Sequence, residues 1–317
     1  MQPHQPLIFI GDIHGQYQTL ITLLEKLGFT ETRYGWRHPR ARAIFLGDLI
    51  DRGPDSRAVV ETVRPMVEHG YAECLMGNHE LNAIHYHTPD GQGGYLRTHS
   101  DRNHRQHKET LASFDSDITA LNDAITWFKT LPVAIDHGQV RAVHATWSYR
   151  HLEPFTVRHN GFYFIDQTQV ERAAQQGTDE RAAVDILLKG AELRLPNDAC
   201  FLDKSGEHWR YEARLNWWQQ DHPRWEDAIT VPGKPRGLDM QDRPVIPDEF
   251  RDLLYPSDAP PVFFGHYWMH GHVRLQAHNA FCADYSAGKG DRLAAYYWHG
   301  EPRLSTDRIV TVEVRDT

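Results

Sequence analysis

Leu7-Ile8-Phe9-Ile10-Gly11-Asp12-Ile13-His14-Gly15 is the stretch that decides the fold. Four consecutive large apolar residues closed by a glycine fit a short strand buried on both faces. Asp12 and His14 follow at once. The same order returns twice. Residues 43–46 precede Gly47-Asp48, with Asp51-Arg52-Gly53-Pro54 just beyond, and residues 71–76 precede Gly77-Asn78-His79-Glu80. Between these runs, Leu20, Leu23, Leu24 and Leu27 recur at helical spacing up to Gly28; Val59, Val60, Val63 and Val67 do so between Pro54 and Gly70. A β-α-β-α-β order predicts parallel strands joined by right-handed crossovers. The three loops then gather at one sheet edge, outside the carboxyl ends of the strands, where ligands bind.

Residues 85–110 are polar and histidine-rich and show no period, which predicts an insertion over that edge. A helix is expected over 118–131, ended by Pro132, then strands at 133–136 and 139–144. Residues 165–190 read as helical. Residues 195–260 are rich in Pro and Trp, and no element order is readable there. Strands return at 262–264, 281–284, 293–298 and 309–314. The expectation is one domain over 1–317, with insertions near 85–130 and 150–260.

Composition sets the class. A chain of 317 residues that is 40% hydrophobic and 24% charged is neither disordered nor fibrous. With 34 Lys and Arg against 43 Asp and Glu, the net charge of −9 argues against a nucleic-acid coat or a membrane-surface helix. No apolar run approaches the roughly 20 residues a membrane helix needs. Residues 1–6 lack a basic stretch before an apolar one, so no signal peptide is expected. Cys74, Cys200 and Cys282 are an odd, scattered set. They read as reduced thiols of a cytoplasmic protein.

Carboxylate, imidazole and amide groups without thiolate suit Mn, Fe, Zn or Ni. A carboxylate has two oxygens, so an Asp from the middle strand could hold two cations. A single Gly-Asp is ordinarily a turn, and a single His an ordinary hydrogen-bonding residue. Three compact motifs, each just after a strand, are not explained that way. Later strands end at His144 and His266. His137 competes with the first but lies in a turn, whereas His144 ends the apolar strand carrying Val140 and Val143. His270 and His272 compete with the second, yet only His266 directly follows an apolar strand and glycine.

Gly-Asp-x-His-Gly, Gly-Asp-x-x-Asp-Arg-Gly and Gly-Asn-His-Glu resemble the motifs of the calcineurin-like metallophosphoesterases. The branch they resemble is that of phosphoprotein phosphatases and symmetrical diadenosine tetraphosphatases. The resemblance is tight over the first 80 residues and looser beyond. It implies an α/β fold: a two-sheet β-sandwich flanked by helices, with a helical insertion. It also implies two divalent cations, Mn²⁺ before Fe, Zn, Ni or Mg. Asp12 and His14 would bind the first, Asp48 would bridge, and Asn78, His144 and His266 would complete the second. Such a pair lowers the pKa of a bound water from about 15.7 towards 7, and the hydroxide attacks phosphorus in line. His79 would serve the leaving group as acid, Asp51 would orient its ring, and Arg52 would grip phosphate oxygens as a bidentate fork.

Departures matter too. Ala145-Thr146-Trp147 follows His144 where the family usually has glycine. Trp268 stands where nuclease-like relatives carry a second His, which favours the phosphatase branch. A second phosphate-binding Arg is expected between His144 and His266, with Arg214 and Arg194 as candidates. Glu80, an acid in a helix's first turn, is expected to complement the helix dipole and to have a supporting role at most. His85, His87, His99, His104 and His107 are expected to lie mostly in solvent near an entrance. Trp217 and Trp218 read as core, and Trp268 as a possible stacking surface. The expected activity is metal-dependent hydrolysis of phosphate monoesters. Symmetrical bis(5'-nucleosyl)-tetraphosphate hydrolysis is the alternative, and a non-enzymatic phosphate-binding protein the third reading. The expected partner is a phosphorylated substrate (a monoester, phosphoprotein or nucleotide), with no nucleic acid and no membrane.

Overall fold

Side chains of strand Leu7–Ile10 alternate between two apolar layers, as the pleat requires. Leu7 and Phe9 point to one, and Ile8 and Ile10 to the other. A computed structural model describes residues 5–158, 161–203 and 206–315; residues 1–4, part of the stretch read for a signal peptide, lie outside it. Leu7–Ile10 pairs in parallel with Arg42–Phe45, which pairs in parallel with Ala72–Cys74. On its other side it meets Arg292–Trp298 antiparallel, and Ile309–Glu313 closes that edge.

A second sheet of six strands faces the first. Its order is Ala280–Cys282, Val262–Phe264, Arg141–Val143, Pro132–Asp136, Phe162–Phe164, Thr156–Arg158. Here Val262–Phe264 is parallel to both of its neighbours. The layer between the sheets holds Phe9, Ile44, Leu46, Phe263, Phe281 and Tyr296. Phe9 stacks on Phe263, ring centroids 3.7 Å apart and 8° from parallel. Truncating such a ring to Ala costs about 3–5 kcal/mol, so this contact joins the sheets firmly.

The outer faces are covered by helices, giving the helix-flanked sandwich the motifs imply. Tyr17–Leu27 buries Leu20, Leu23, Leu24 and Leu27 and stops at Gly28 in the left-handed conformation, φ 90°. Ser56–Glu68 starts where the Asp55 side chain accepts the Ala58 N–H at 3.1 Å. Asp179–Lys189 brings Ala183, Val184, Leu187 and Leu188 into the same apolar cluster.

The insertion over the site is built on helices joined by an irregular stretch at 88–100. Asn78–His87 runs into it, Asp101–Ser113 crosses it, and Ile118–Phe128 returns the chain to Pro132. The region read as helical over 165–190 is two helices, Gln167–Ala173 and Asp179–Lys189. Residues 156–158 and 162–164 are strands of the second sheet. The Trp-rich stretch contributes a small sheet of Glu192–Arg194, Glu212–Leu215 and Ile229–Thr230 with its own core around Trp225 and Phe201. Trp217 and Trp218 are buried, as read from the sequence.

Candidate metal centre

Five parallel strand ends converge on one edge of the sandwich. The first sheet delivers Asp12 and His14, Asp48, and Asn78 with His79; the second delivers His144 and His266. All are buried. The donor atoms of His14, Asp48 and His79 lie within 4.8 Å of one another, and so do those of Asp48, His144 and His266. Asp48 belongs to both groups. Its Oδ2 is 3.6 Å from His14 Nε2, and its Oδ1 is 3.3 Å from His144 Nε2.

Backbone contacts select the histidine tautomers. His14 Nδ1 donates to the Ile50 carbonyl at 2.9 Å, and His144 Nδ1 donates to that of Leu46 at 2.7 Å. Each Nε2 is thereby left facing Asp48. The Asn78 amide lies between His144 Nε2, 3.2 Å away, and His266 Nδ1, 2.7 Å away. Asp12 Oδ2 accepts the His266 N–H at 3.0 Å, while its Oδ1 faces inward.

The loops are shaped for this convergence at a conformational cost. His14, Asp48, Asp51, Arg52 and His266 have φ of 48°, 50°, 68°, 72° and 68°. Non-glycine residues hold such angles only where their surroundings impose them. Two glycines let the carboxylates approach. A Cβ on Gly77 would sit 2.4 Å from the Asp48 nitrogen, and one on Gly265 would sit 2.0 Å from Asp12 Oδ1.

These residues fit a pair of cations. Asp12 Oδ1, His14 Nε2, Asp48 Oδ2 and His266 Nε2 are buried without a hydrogen-bond partner. Orphaned buried acceptors are costly unless something electrophilic meets them. Burial, with Arg52 and His79 nearby, lowers the His14 pKa to about 3. Burial and Arg214 hold His266 well below its usual range. Both rings are therefore neutral, the form that ligates metal. At His144 burial works the other way from Asp48, whose carboxylate prevails and raises the imidazole to about 10. The proton it keeps stands in for positive charge the buried carboxylates demand.

The residues expected to serve as acid, orienting partner and phosphate grip lie beside these groups. His79 Nδ1 donates to Asp51 Oδ2 at 2.5 Å. Burial opposes protonation of His79, but Asp48 and Asp51 together raise its pKa. An Arg52 guanidinium nitrogen lies 3.3 Å from His79 Nε2, and its carbon lies 3.8 Å over the Trp268 ring. Of the two candidates for the second phosphate arginine, Arg214 reaches the site, donating to the His266 carbonyl at 3.1 Å. Arg194 does not: it is exposed and pairs with Asp198 on the surface. His137 pairs with Glu73 at 2.8 Å, apart from the ligands, and His270 and His272 are exposed.

Glu80 is fully buried, and its supporting role is specific. Its carboxylate accepts from the Asp48, Leu49 and Gly77 N–H groups at 2.9, 2.8 and 2.8 Å, which fixes the loop of the shared ligand. Burial and the Asp48 charge push its pKa to about 7, against His144, His79 and the Leu49 N–H. The histidines of the insertion are mostly engaged, not solvated. His85 Nε2 donates to the Val170 carbonyl at 2.8 Å, His99 to that of Tyr86 at 2.8 Å, and buried His107 to Asp51 at 2.8 Å. Their partners are distant in sequence, so nothing local announced them.

Asp284 was not foreseen. It is buried after strand Ala280–Cys282 and accepts from the Trp268 and Ser286 N–H groups at 2.7 and 2.9 Å, holding the loop that follows His266. An acid at a strand's carboxyl end was the available signal.

A helix-flanked sandwich with Asp, His and Asn ligands on one edge is the arrangement of a metal-dependent phosphoesterase. Residues 5–268 match the calcineurin-like phosphoesterase family, and the chain belongs to it. It is similar to the asymmetrical bis(5'-nucleosyl)-tetraphosphatase PrpE of Halalkalibacterium halodurans, 45% identical over 71 residues, which are 22% of this chain and 29% of that protein. It is also similar to a symmetrical bis(5'-nucleosyl)-tetraphosphatase of Buchnera aphidicola, 38% identical over 80 residues, 25% of this chain and 26% of that one. The chain thus matches under a third of the length of these curated relatives. In fold it resembles a protein serine/threonine phosphatase from Saccharomyces cerevisiae, with TM-score 0.51 and 16% identity over 100% of this chain and 81% of that one. A cold-active protein-tyrosine phosphatase of Shewanella gives TM-score 0.50 and 16% identity over 98% and 80%.

Proposed function

We propose that this chain is a single-domain phosphoesterase that hydrolyses phosphate monoesters at a site holding two divalent cations. The observation that carries the reading is the placement of Asp48, one carboxylate whose two oxygens face two separate groups of ligands. Asp12 and His14 would hold one cation and Asn78, His144 and His266 the other, with Asp48 shared; Mn²⁺ is the first candidate. Bound cations there would supply Lewis acidity towards a phosphoryl group and lower the pKa of water.

The chain's own groups do the rest. Asp51 orients the His79 ring and favours its charged form, so Nε2 can give a proton to a leaving oxygen. Arg52 and Arg214 offer guanidinium forks to non-bridging phosphate oxygens. The substrate is a soluble phosphorylated molecule and the setting the cytoplasm. Among the described residues no helix is long and apolar enough to cross a membrane, which accords with this.

The test is turnover of 4-nitrophenyl phosphate and phenyl phosphate after chelation and re-addition of Mn²⁺, for the unsubstituted chain and His79→Asn. Activity should vanish with chelation and return with metal. His79→Asn should lose about 10²–10⁴-fold on phenyl phosphate and much less on the nitrophenyl ester, whose leaving group needs less protonation. Absence of turnover with every divalent metal would leave a phosphate-binding protein. A second reading, cleavage of dinucleoside tetraphosphates, is supported by the names of the two relatives and by the many cations around the site.

A further inference from the structure

The sequence marks Trp268, two residues beyond His266, as a possible stacking surface. In the fold its indole meets two cations of the protein itself. The Arg52 guanidinium carbon lies 3.8 Å over the ring, and Lys289 Nζ lies 4.4 Å over it. The three residues come from three loops, which follow strands Arg42–Phe45, Val262–Phe264 and Ala280–Cys282. One buried carboxylate ties the last two loops together. Asp284 Oδ2 accepts the Trp268 N–H at 2.7 Å, and Oδ1 accepts that of Ser286 at 2.9 Å. The Asp284 carbonyl accepts the Met269 N–H at 2.9 Å, and Ser286 Oγ donates to the Met269 carbonyl at 3.2 Å. Under these bonds Trp268 and Ser286 hold φ of 54° and 61°, angles that non-glycine residues keep only where their surroundings impose them. The same turn walls the Arg52 stem: a Cβ on Gly288 would sit 2.9 Å from Arg52 Cδ.

Arg52 needs such support. It feels the charges of Asp48, Asp284, Asp12 and Asp51, yet among the described residues it forms no ion pair with any of them. An arginine side chain left free gives up much rotamer freedom when it grips a ligand. A carboxylate partner would fix it, but would also neutralise it and compete with phosphate for its N–H groups. An indole face attracts the cation through the ring quadrupole and leaves the charge and the donors to an incoming oxyanion.

Resting on the phosphoesterase reading, we infer that Trp268 is a positioning residue for Arg52. Its ring holds the guanidinium ready for a phosphoryl group beside the ligand cluster, and Asp284 holds the ring. The stacking partner of this indole is thus a side chain of the protein. Trp268 acts through Arg52 and makes no contact of its own with the phosphoryl group.

The experiment measures the affinity of inorganic phosphate by calorimetry, on the full-length protein with saturating Mn²⁺. Trp268→Leu should weaken it about tenfold, the size of a largely desolvated cation–ring contact. Trp268→Phe keeps a ring and should recover part of the loss. In an Arg52→Gln chain, Trp268→Leu should change little further, because the double-mutant cycle isolates what passes between the two side chains. If Trp268→Leu fails to fold by circular dichroism, Trp268→Met takes its place in both backgrounds. Three results overturn the assignment: the parent's phosphate affinity in the Leu or Met variant, an equal loss in Trp268→Phe, or an equal loss with and without Arg52. Absence of phosphate binding by the unsubstituted chain overturns it too. Because binding is the readout, a failure of 4-nitrophenyl phosphate turnover bears on the phosphoesterase reading and leaves this result standing.

Discussion

His107 Nδ1 lies 2.8 Å from Asp51 Oδ1, on the carboxylate whose other oxygen receives His79 Nδ1 at 2.5 Å. Thr110, one helical turn further, donates its hydroxyl to the same Oδ1 at 2.6 Å. The Asp51 charge is thus held from two sides, and its pKa stays below the usual carboxylate range despite burial. The helix Asp101–Ser113 thus meets Asp51 through His107 and Thr110, which also accepts the Asp51 N–H at 3.0 Å.

His107 is a positioning residue by this geometry. His107→Ala should lower kcat for phenyl phosphate about tenfold, part of the roughly 10²–10⁴-fold available to the acid itself. The loss on 4-nitrophenyl phosphate should be smaller, metal content should stay the same, and His107→Asn should recover part of the rate. Equal losses for good and poor leaving groups would refute the role.

Asp48→Asn keeps the shape of the shared ligand and removes its charge. It should cost more than the about 10–100-fold typical of losing an outer-shell partner, and bound Mn²⁺ should fall. Elemental analysis with turnover decides it: near-normal activity at full metal content would remove Asp48 from the bridge.

Glu80→Gln tests the anchor of that loop. An amide offers one acceptor and sets its NH₂ against donors that Glu80 now satisfies, and a buried unsatisfied group costs about 1–3 kcal/mol. Thermal melts with and without Mn²⁺ should show a lower metal-free Tm and a metal-dependent rise that needs more Mn²⁺. A Tm and Mn²⁺ response identical to the parent's would show the three N–H contacts to be dispensable.

His85 predicts an acid sensitivity. Burial lowers its pKa to about 4 in the fold, against about 6.5 in an unfolded chain. Between those values the unfolded chain binds the extra proton, so stability is full above about pH 6.5 and declines as pH falls towards 4. The contribution is about 3 kcal/mol over that window. Denaturant midpoints against pH for His85→Gln should show a flatter slope there than the parent; parallel curves would exclude His85 as the sensor.

What the sequence alone determined was the frame of the site. Apolar runs of about four residues closed by Gly11, Gly47 and Gly77 are local signals, and so is the helical spacing of Leu20 to Leu27. Together they predicted parallel strands and the edge where their loops gather, while the candidate ligands came from the resemblance of the three motifs, with His144 and His266 separated from His137, His270 and His272 by the strands they end. Tertiary structure alone decided the support around that frame. Helix Asp101–Ser113 buries only His107 and Thr110, so it has no apolar stripe to read. Glu80 finds its three N–H donors in two separate loops. Hydrophobic periodicity records which side chains leave water for an apolar layer. A polar side chain leaves water only for a partner, and the fold, not the neighbouring sequence, brings that partner within reach.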